Sequence, residues 1–305
     1  MLGVRQPGYA SFLPLFKCHH GFNPKKETWE RTLIRTSRQD RQSMTHVLDR
    51  RGMVSKTLMD LWQRRGRTFS ERSTLLQRAK AIQGVMDESM QHLQCIKGTV
   101  LDVGCGDGIP THFLVQHHQV IGIDFASTML SRAKSNLPSL DLVRASIDRL
   151  PIQSASVPAV TCFFVLSDYS DRTSIVNELY RVLQVQGRIV LADYSSNDEL
   201  NNLIDDLQIR ILGKDRGMFR PSPDAMSILG RSSGLKANAV KELSYHLTTP
   251  IDDFVGQLYL SSVGPQYREK RLSKGQWMDF LAGWLKGTEV HVTRRFVLVL
   301  GEKSN

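Results

Sequence analysis

The sequence predicts an α/β fold: a mostly parallel sheet of seven strands with helices on both faces. Three observations carry that prediction. Short apolar runs alternate with helix-like segments between residues 99 and 193, as chained βαβ units do. The first run, Thr99-Val100-Leu101-Asp102-Val103, stops at a bend holding three alternate glycines, Gly104, Gly106 and Gly108. The second, Val120-Ile121-Gly122-Ile123, ends on a carboxylate, Asp124. Glycines let a ligand lie against bare backbone. A strand-end acid about twenty residues further on can take both hydroxyls of a ribose.

Each element follows in turn. Residues 1–26 contain no Asp or Glu and include Pro7, Gly8, Pro14 and Pro24, a poor basis for regular structure. An acid-poor targeting peptide is the alternative reading of this stretch. Short helices fit 29–38 and 54–65, the second with Leu58, Leu61 and Trp62 on one face. A longer helix fits 70–93, where Leu75, Leu76, Ala79, Ile82, Val85 and Met86 recur at helical spacing. Strands are expected at 99–103, 120–124, 141–145, 159–166, 188–193, 239–245 and 295–300. Helices are expected at 110–117, from Met129, at 172–183, at 197–212 and at 223–233. Pro110 suits a first helical turn, where its missing N–H costs nothing. The run 159–166 is apolar apart from Thr161, as befits a strand buried on both faces. Residues 247–292 exceed an ordinary connection and read as a helical insertion that walls a binding pocket.

Charge divides the chain. Residues 1–80 carry 17 Lys and Arg against 6 Asp and Glu, so this arm accounts for the whole net charge of +10. The expected organisation is a basic extension over 1–68 and a ligand-binding α/β domain over 69–305. Arg31, Arg35 and Arg38 share a helical face and could hold phosphates, although no RNA-binding module accompanies them. No apolar run reaches the ~18 residues of a membrane span. The four cysteines, Cys18, Cys95, Cys105 and Cys162, have neither pairing nor metal spacing, which fits reduced thiols in the cytoplasm.

The glycine bend is selective. A nicotinamide fingerprint would need glycine where Ile109 stands, and no Gly-Lys-Ser/Thr follows for a P-loop. Asp107, inside the bend, would repel a pyrophosphate. A phosphate-free nucleoside with a cationic centre suits it better. From about Leu93 to Gly187 the chain resembles the class I S-adenosylmethionine-dependent methyltransferases, in particular their broad small-molecule group. The resemblance rests on the glycine bend, Asp124, the turn Asp148-Arg149-Leu150-Pro151 and the segment Glu178-Leu179-Tyr180-Arg181-Val182-Leu183 with Gly187. It implies a Rossmann-like sheet and S-adenosylmethionine as cofactor. By the same resemblance Asp102 helps hold the methionine amino group, and Gly104, Cys105, Gly106 and Gly108 line its tail. Asp124 binds the ribose, Phe125 packs on adenine, and Ser146 and Ile147 border the adenine edge. Ser146 stands where the family commonly has Asp, and Val157-Pro158 where it commonly has Phe-Asp.

The expected activity is methyl transfer to a small organic acceptor, with an RNA methyltransferase using the basic arm, or a degenerate cofactor-binding protein, as alternatives. Asp168 and Tyr169, just past the fourth strand, are the candidate catalytic residues, with Asp193-Tyr194 past the fifth. No Asp/Asn-Pro-Pro-Tyr/Phe motif follows the fourth strand, which argues against exocyclic base methylation. His112, His246 and His291 read as structural, and no metal is expected because no ligand spacing occurs.

Overall fold

A computed structural model describes residues 81–213, 219–259 and 264–304. The expected arm over 1–68, the short helices within it and the start of the 70–93 helix lie outside the described residues.

Helix α1 (Gln83–Leu93) precedes strand β1 (Thr99–Val103), α2 (Ile109–Leu114) and β2 (Gln119–Asp124). Then come α3 (Ser127–Asn136), β3 (Asp141–Arg144), β4 (Val157–Phe163), α4 (Arg172–Val182) and β5 (Leu183–Tyr194). The second half holds α5 (Glu199–Leu207), α6 (Pro223–Ser232), β6 (Leu235–Pro250), α7 (Ile251–Tyr259), α8 (Gly264–Glu269), α9 (Lys274–Leu281), β7 (Leu285–Lys286) and β8 (Glu289–Lys303). The sheet has eight strands where seven were expected. The extra one is the two-residue β7, which pairs only with β8. The other seven run in the order β3-β2-β1-β4-β5-β8-β6. The first five are mutually parallel, and β8 is reversed between β5 and β6.

Two apolar layers sandwich the sheet. On one face Leu101, Val103, Ile121, Val160 and Leu191 meet α4, α6 and the segment after β3. On the other, Val100, Val120, Ala159, Val190 and Phe296 meet α1, α2 and α3. Alternate residues of one strand therefore serve opposite cores, as the two-residue strand period demands. Helix starts follow local chemistry. Asp171 caps α4 by accepting from Ser174 N, Ser222 caps α6 ahead of Pro223, and Ser273 with Gln276 forms a reciprocal capping box on α9.

Several boundaries differ from expectation, each for a tertiary reason. The sixth and last strands are far longer than 239–245 and 295–300, because β6 and β8 pair from Leu235–Lys303 to Pro250–Glu289, with one register shift between Ala237 and Ala239. The insertion therefore shrinks: 247–250 and 289–292 are strand, and helices occupy only part of what lies between. Those helices pack with α5 into a third apolar cluster of Leu203, Leu207, Phe254, Leu258, Tyr267 and Trp277. The fourth strand ends at Phe163 instead of Leu166, since Phe164 turns to positive φ and Leu166–Asp168 form a 3-10 turn. The helix over 197–212 closes in a π turn at Gln208–Leu212, and α2 stops at Leu114. No helix among the described residues is long and apolar enough to cross a membrane.

One polar clamp ties the Leu150-Pro151 turn to α4. Glu178 accepts from Leu150 N at 2.7 Å, and Arg181 pairs with Glu178 while donating to the carbonyls of Leu150 and Ile152. Glu178→Ala strands the Leu150 N–H and removes the charge partner of Arg181, which keeps its carbonyl acceptors. It should cost roughly 2 kcal/mol, the usual penalty for an orphaned polar group. Urea unfolding followed by circular dichroism measures that loss.

Candidate active site

The site is built at the carboxyl ends of β1, β2, β4 and β5, where parallel sheets bind ligands. Asp102 lies within β1 below the glycine bend and is fully buried. Thr111, in the first turn of α2, donates to its Oδ2 at 2.6 Å, and Thr161, in β4, donates to Oδ1 at 2.8 Å. Asp102 thus fastens three elements from beneath. Burial still dominates, and its carboxyl is pushed up to about 6.

The three glycines divide the work. Gly104, Gly106 and Gly108 all have positive φ, a region that side chains resist. A Cβ on Gly104 would lie 2.3 Å from Val165 Cγ2, so its bareness admits the turn after β4. A Cβ on Gly108 would meet Leu137 at 3.1 Å, so this glycine brings the bend onto the end of α3. At Gly106 the nearest atom outside the bend, Met129 Cε, is 3.4 Å from such a Cβ. The bare surface available to a ligand is therefore centred on Gly106. Cys105 points inward and touches the position a Cβ on Gly122 would take. Burial raises its thiol well above the usual range, so it is an inert filler.

Asp124 faces the bend from the end of β2. Gly106 N donates to its Oδ2 at 3.0 Å and Ala126 N to its Oδ1 at 2.8 Å. The Phe125 backbone N–H also favours this carboxylate, whose acceptor capacity is not exhausted by the three donors and can take a ligand hydroxyl. Burial raises this carboxyl to about 6, with Asp107 adding to the shift. Asp107 is itself buried in the bend. Three carboxylates thus surround one patch of bare backbone, an environment complementary to a cation. Phe125 is half-buried beside Asp124, Ile147 is buried and Ser146 is exposed. These residues fit an adenosyl sulfonium with an amino-acid tail, and Asp102 acts from the layer below.

Asp193 is a further buried carboxylate, at the end of β5. Ser167 N donates to its Oδ2 and Tyr194 N to its Oδ1, both at 2.8 Å, so it anchors the turn that carries Asp168 and Tyr169. Burial pushes it up to about 7. Tyr169 packs on the α4 side of the sheet, close enough to Asp124, Asp148 and Asp168 to feel their charge. Burial and those carboxylates drive its phenol far above the ordinary tyrosine value, which keeps it neutral.

The opposite side of the same sheet edge is aromatic. Phe164 stacks on Tyr194 at 5.0 Å between centroids, and Phe296 stands against both, at 5.5 and 5.8 Å. Phe296 also floors a cleft of about 330 Å³ between the start of α1 and strands β6 and β8. Its other walls include Gln83, Gly84, Val85, Leu243 and Tyr245. No residue of α7–α9 lines it. The sequence reading missed Thr111, Thr161 and Phe296. A lone polar residue at 161 inside an apolar strand was the one available signal.

Residues 101–191 match the family model described as a methyltransferase domain. A probable S-adenosylmethionine-dependent methyltransferase of Mycobacterium tuberculosis is 30% identical over 100 residues, which are 32% of this chain and 36% of that protein. A demethylmenaquinone methyltransferase of Oceanobacillus iheyensis is 30% identical over 174 residues, 54% of this chain and 66% of that protein. The chain thus spans little more than a third of the length of the first. Among solved structures, the YcgJ protein of Bacillus subtilis shares the fold with a TM-score of 0.54 at 19% identity, covering 72% of this chain and 98% of that one.

The acidic surround makes a pH prediction. Asp102 and Asp124 both titrate near 6, so acid protonates them and removes their attraction for a cation. Affinity for S-adenosylmethionine should fall roughly tenfold from about pH 7.5 to about pH 5.5, given two such groups. S-adenosylhomocysteine lacks the sulfonium charge and should lose less. Calorimetric titration of both across that range reads the difference.

Proposed function

Starting from a chain whose α/β domain belongs to the class I S-adenosylmethionine-dependent methyltransferases, we propose that it methylates a small organic acceptor. One observation carries the reading: the Asp124 carboxylate is held by Gly106 N at the glycine bend, close to the buried acids Asp102 and Asp107. When bound, the cofactor supplies an already activated methyl group for in-line transfer. The residues of this chain bind, orient and exclude water. Asp124 receives the ribose hydroxyls, Gly106 and Cys105 present backbone to the amino-acid tail, and Phe125 and Ile147 cover the adenine. Asp102 carries the bend through Thr111 and Thr161.

The acceptor enters from the aromatic side. Neighbouring strands lie about 4.8 Å apart, so Phe296, paired in β8 with Tyr194 at the end of β5, is roughly 10 Å from the end of β4. A small molecule in the cleft above Phe296 can reach the end of β4 across Tyr194 and Phe164. With the cofactor bound, the acceptor's lone pair would displace the methyl group from sulfur, and the acceptor's proton would pass to a base or to solvent. Asp168 is the candidate base, on the turn that Asp193 holds. Tyr169, as a neutral phenol, is the candidate hydrogen-bond donor beside Asp124. The demethylmenaquinone methyltransferases among the relatives support a small acceptor over RNA. The buried cysteines, Cys105 and Cys162, are free thiols, which supports a cytoplasmic location. The basic arm over 1–68 is read as an accessory to this domain.

Two measurements test this. Asp124→Ala should weaken cofactor binding by about tenfold or more, as loss of a charged hydrogen-bond partner does; unchanged affinity would place the ribose elsewhere. Deleting residues 1–68 should leave transfer of labelled methyl groups into the small-molecule fraction of a cell extract intact. Label appearing in RNA, and lost with the arm, would replace the small acceptor with a nucleic acid.

A further inference from the structure

The cleft above Phe296 is mostly apolar, but one largely covered cation, Arg294, stands beside its floor and walls. Arg294 lies two residues before Phe296 in β8 and so projects from the same face. It pairs across the ladder with Tyr245, a cleft wall. Its guanidinium sits 4.9 Å from the centroid of Tyr194 and 5.4 Å from that of Phe296. Only 14% of its side chain is exposed. This placement is enforced from behind. Arg294 Nε donates to Asp198 Oδ2 at 2.8 Å, and Asp198 is fully buried. The same oxygen accepts from Arg295 N at 2.7 Å, while Oδ1 caps α5 by accepting from Asn201 N at 2.8 Å. Asp198 is thus shared among a guanidinium, a strand N–H and a helix N-terminus.

A guanidinium has five N–H donors in a planar fork. One is spent on Asp198. Tyr194 engages Arg294 through its ring face and its hydroxyl. Asp198 and Tyr194 both favour the charged form, which offsets the burial. Of the cleft-lining residues, Phe296 has its ring 5.4 Å from the guanidinium and Tyr245 is the cross-strand neighbour of Arg294. An aromatic floor holds flat rings by stacking and edge contacts. A cation in a low-dielectric pocket favours a ligand oxygen that bears negative charge, and Arg does so with directional, paired bonds.

From this arrangement we propose that the acceptor is a planar aromatic molecule with an acidic oxygen, a carboxylate, enolate or phenolate, read by Arg294 together with Tyr194. The proposal rests on the methyl-transfer reading for the identity of the ligand as acceptor. Its physical content is a preference of the cleft itself. A charge-stabilised oxygen there also suits transfer, because an ionised hydroxyl or enol is the more nucleophilic form of such a ring.

The test uses the full chain saturated with S-adenosylhomocysteine and four probes: 2-naphthoate, 2-naphthol, 2-methylnaphthalene and cyclohexanecarboxylate. Binding is followed by fluorescence for the aromatic probes and by competition for the last. 2-Naphthoate should bind at least tenfold more tightly than 2-methylnaphthalene, with 2-naphthol between them. Arg294→Met should abolish that preference while leaving 2-methylnaphthalene unchanged. Tyr194→Phe keeps the Arg294–Asp198 pair intact, and should reduce the preference severalfold even if the Met variant fails to fold. Equal affinity for 2-naphthoate and 2-methylnaphthalene in the parent protein overturns the proposal, as does a preference that Tyr194→Phe leaves untouched. Cyclohexanecarboxylate binding as tightly as 2-naphthoate overturns the requirement for a flat ring. Failure to bind S-adenosylhomocysteine at the outset would instead remove the methyl-transfer reading, and the anion preference would still be measurable on the unliganded chain.

Discussion

The carboxylate of Asp102 is the contact on which the site depends. It is buried at the point where β1 gives way to the glycine bend, and a threonine from each side satisfies it. A buried acid without such partners would be costly enough to distort the bend or to take up a proton. With them, it joins β1, α2 and β4 in one rigid unit, and the bend inherits that rigidity. Gly106 then presents its N–H to Asp124 in a fixed direction. The cofactor half of the site is therefore set by the layer beneath it, and its visible residues are the outer surface of a buried polar network.

The turn after β4 is the hinge between the two halves. Phe164 adopts positive φ, an unfavourable conformation for a bulky residue, at a typical cost of about 1–3 kcal/mol. That strain turns the chain so that Phe164 faces the aromatic side while Val165 drops onto Gly104. Ser167 N is caught by Asp193, and Tyr169 faces Asp124. Three consecutive demands are met within six residues: contact with the bend, contact with the aromatic row and anchorage to β5. The small Gly104 is the counterpart of this turn, which explains why its bareness serves packing and not ligand approach.

Reversal of β8 gives the acceptor side its character. An antiparallel strand between β5 and β6 brings residues from the end of the chain alongside the carboxyl ends of the parallel strands. Phe296 thereby pairs with Tyr194, and Arg294 comes to Asp198 across 96 positions of sequence. The helices α7–α9, by contrast, settle on α5 around Tyr267 and Trp277 and form a core of their own. None of their residues lines the cleft.

Local signals were sufficient for the parts of this protein that are local. The glycine bend, the acid ending β2, the proline opening α2 and the apolar β4 each follow from the conformational needs of a few adjacent residues, and each is readable in the chain. The parallel order of β1 to β5 follows as well, because short βαβ connections leave few alternatives. Tertiary structure alone decided which glycine faces a ligand, how far β6 and β8 extend, and where Tyr169 and Arg294 stand. Those outcomes depend on partners remote in sequence, such as Val165 against Gly104 or Arg294 against Asp198. A strand's length is set by what lies beside it, and a buried charge by what neutralises it, and neither neighbour is written in the adjacent residues.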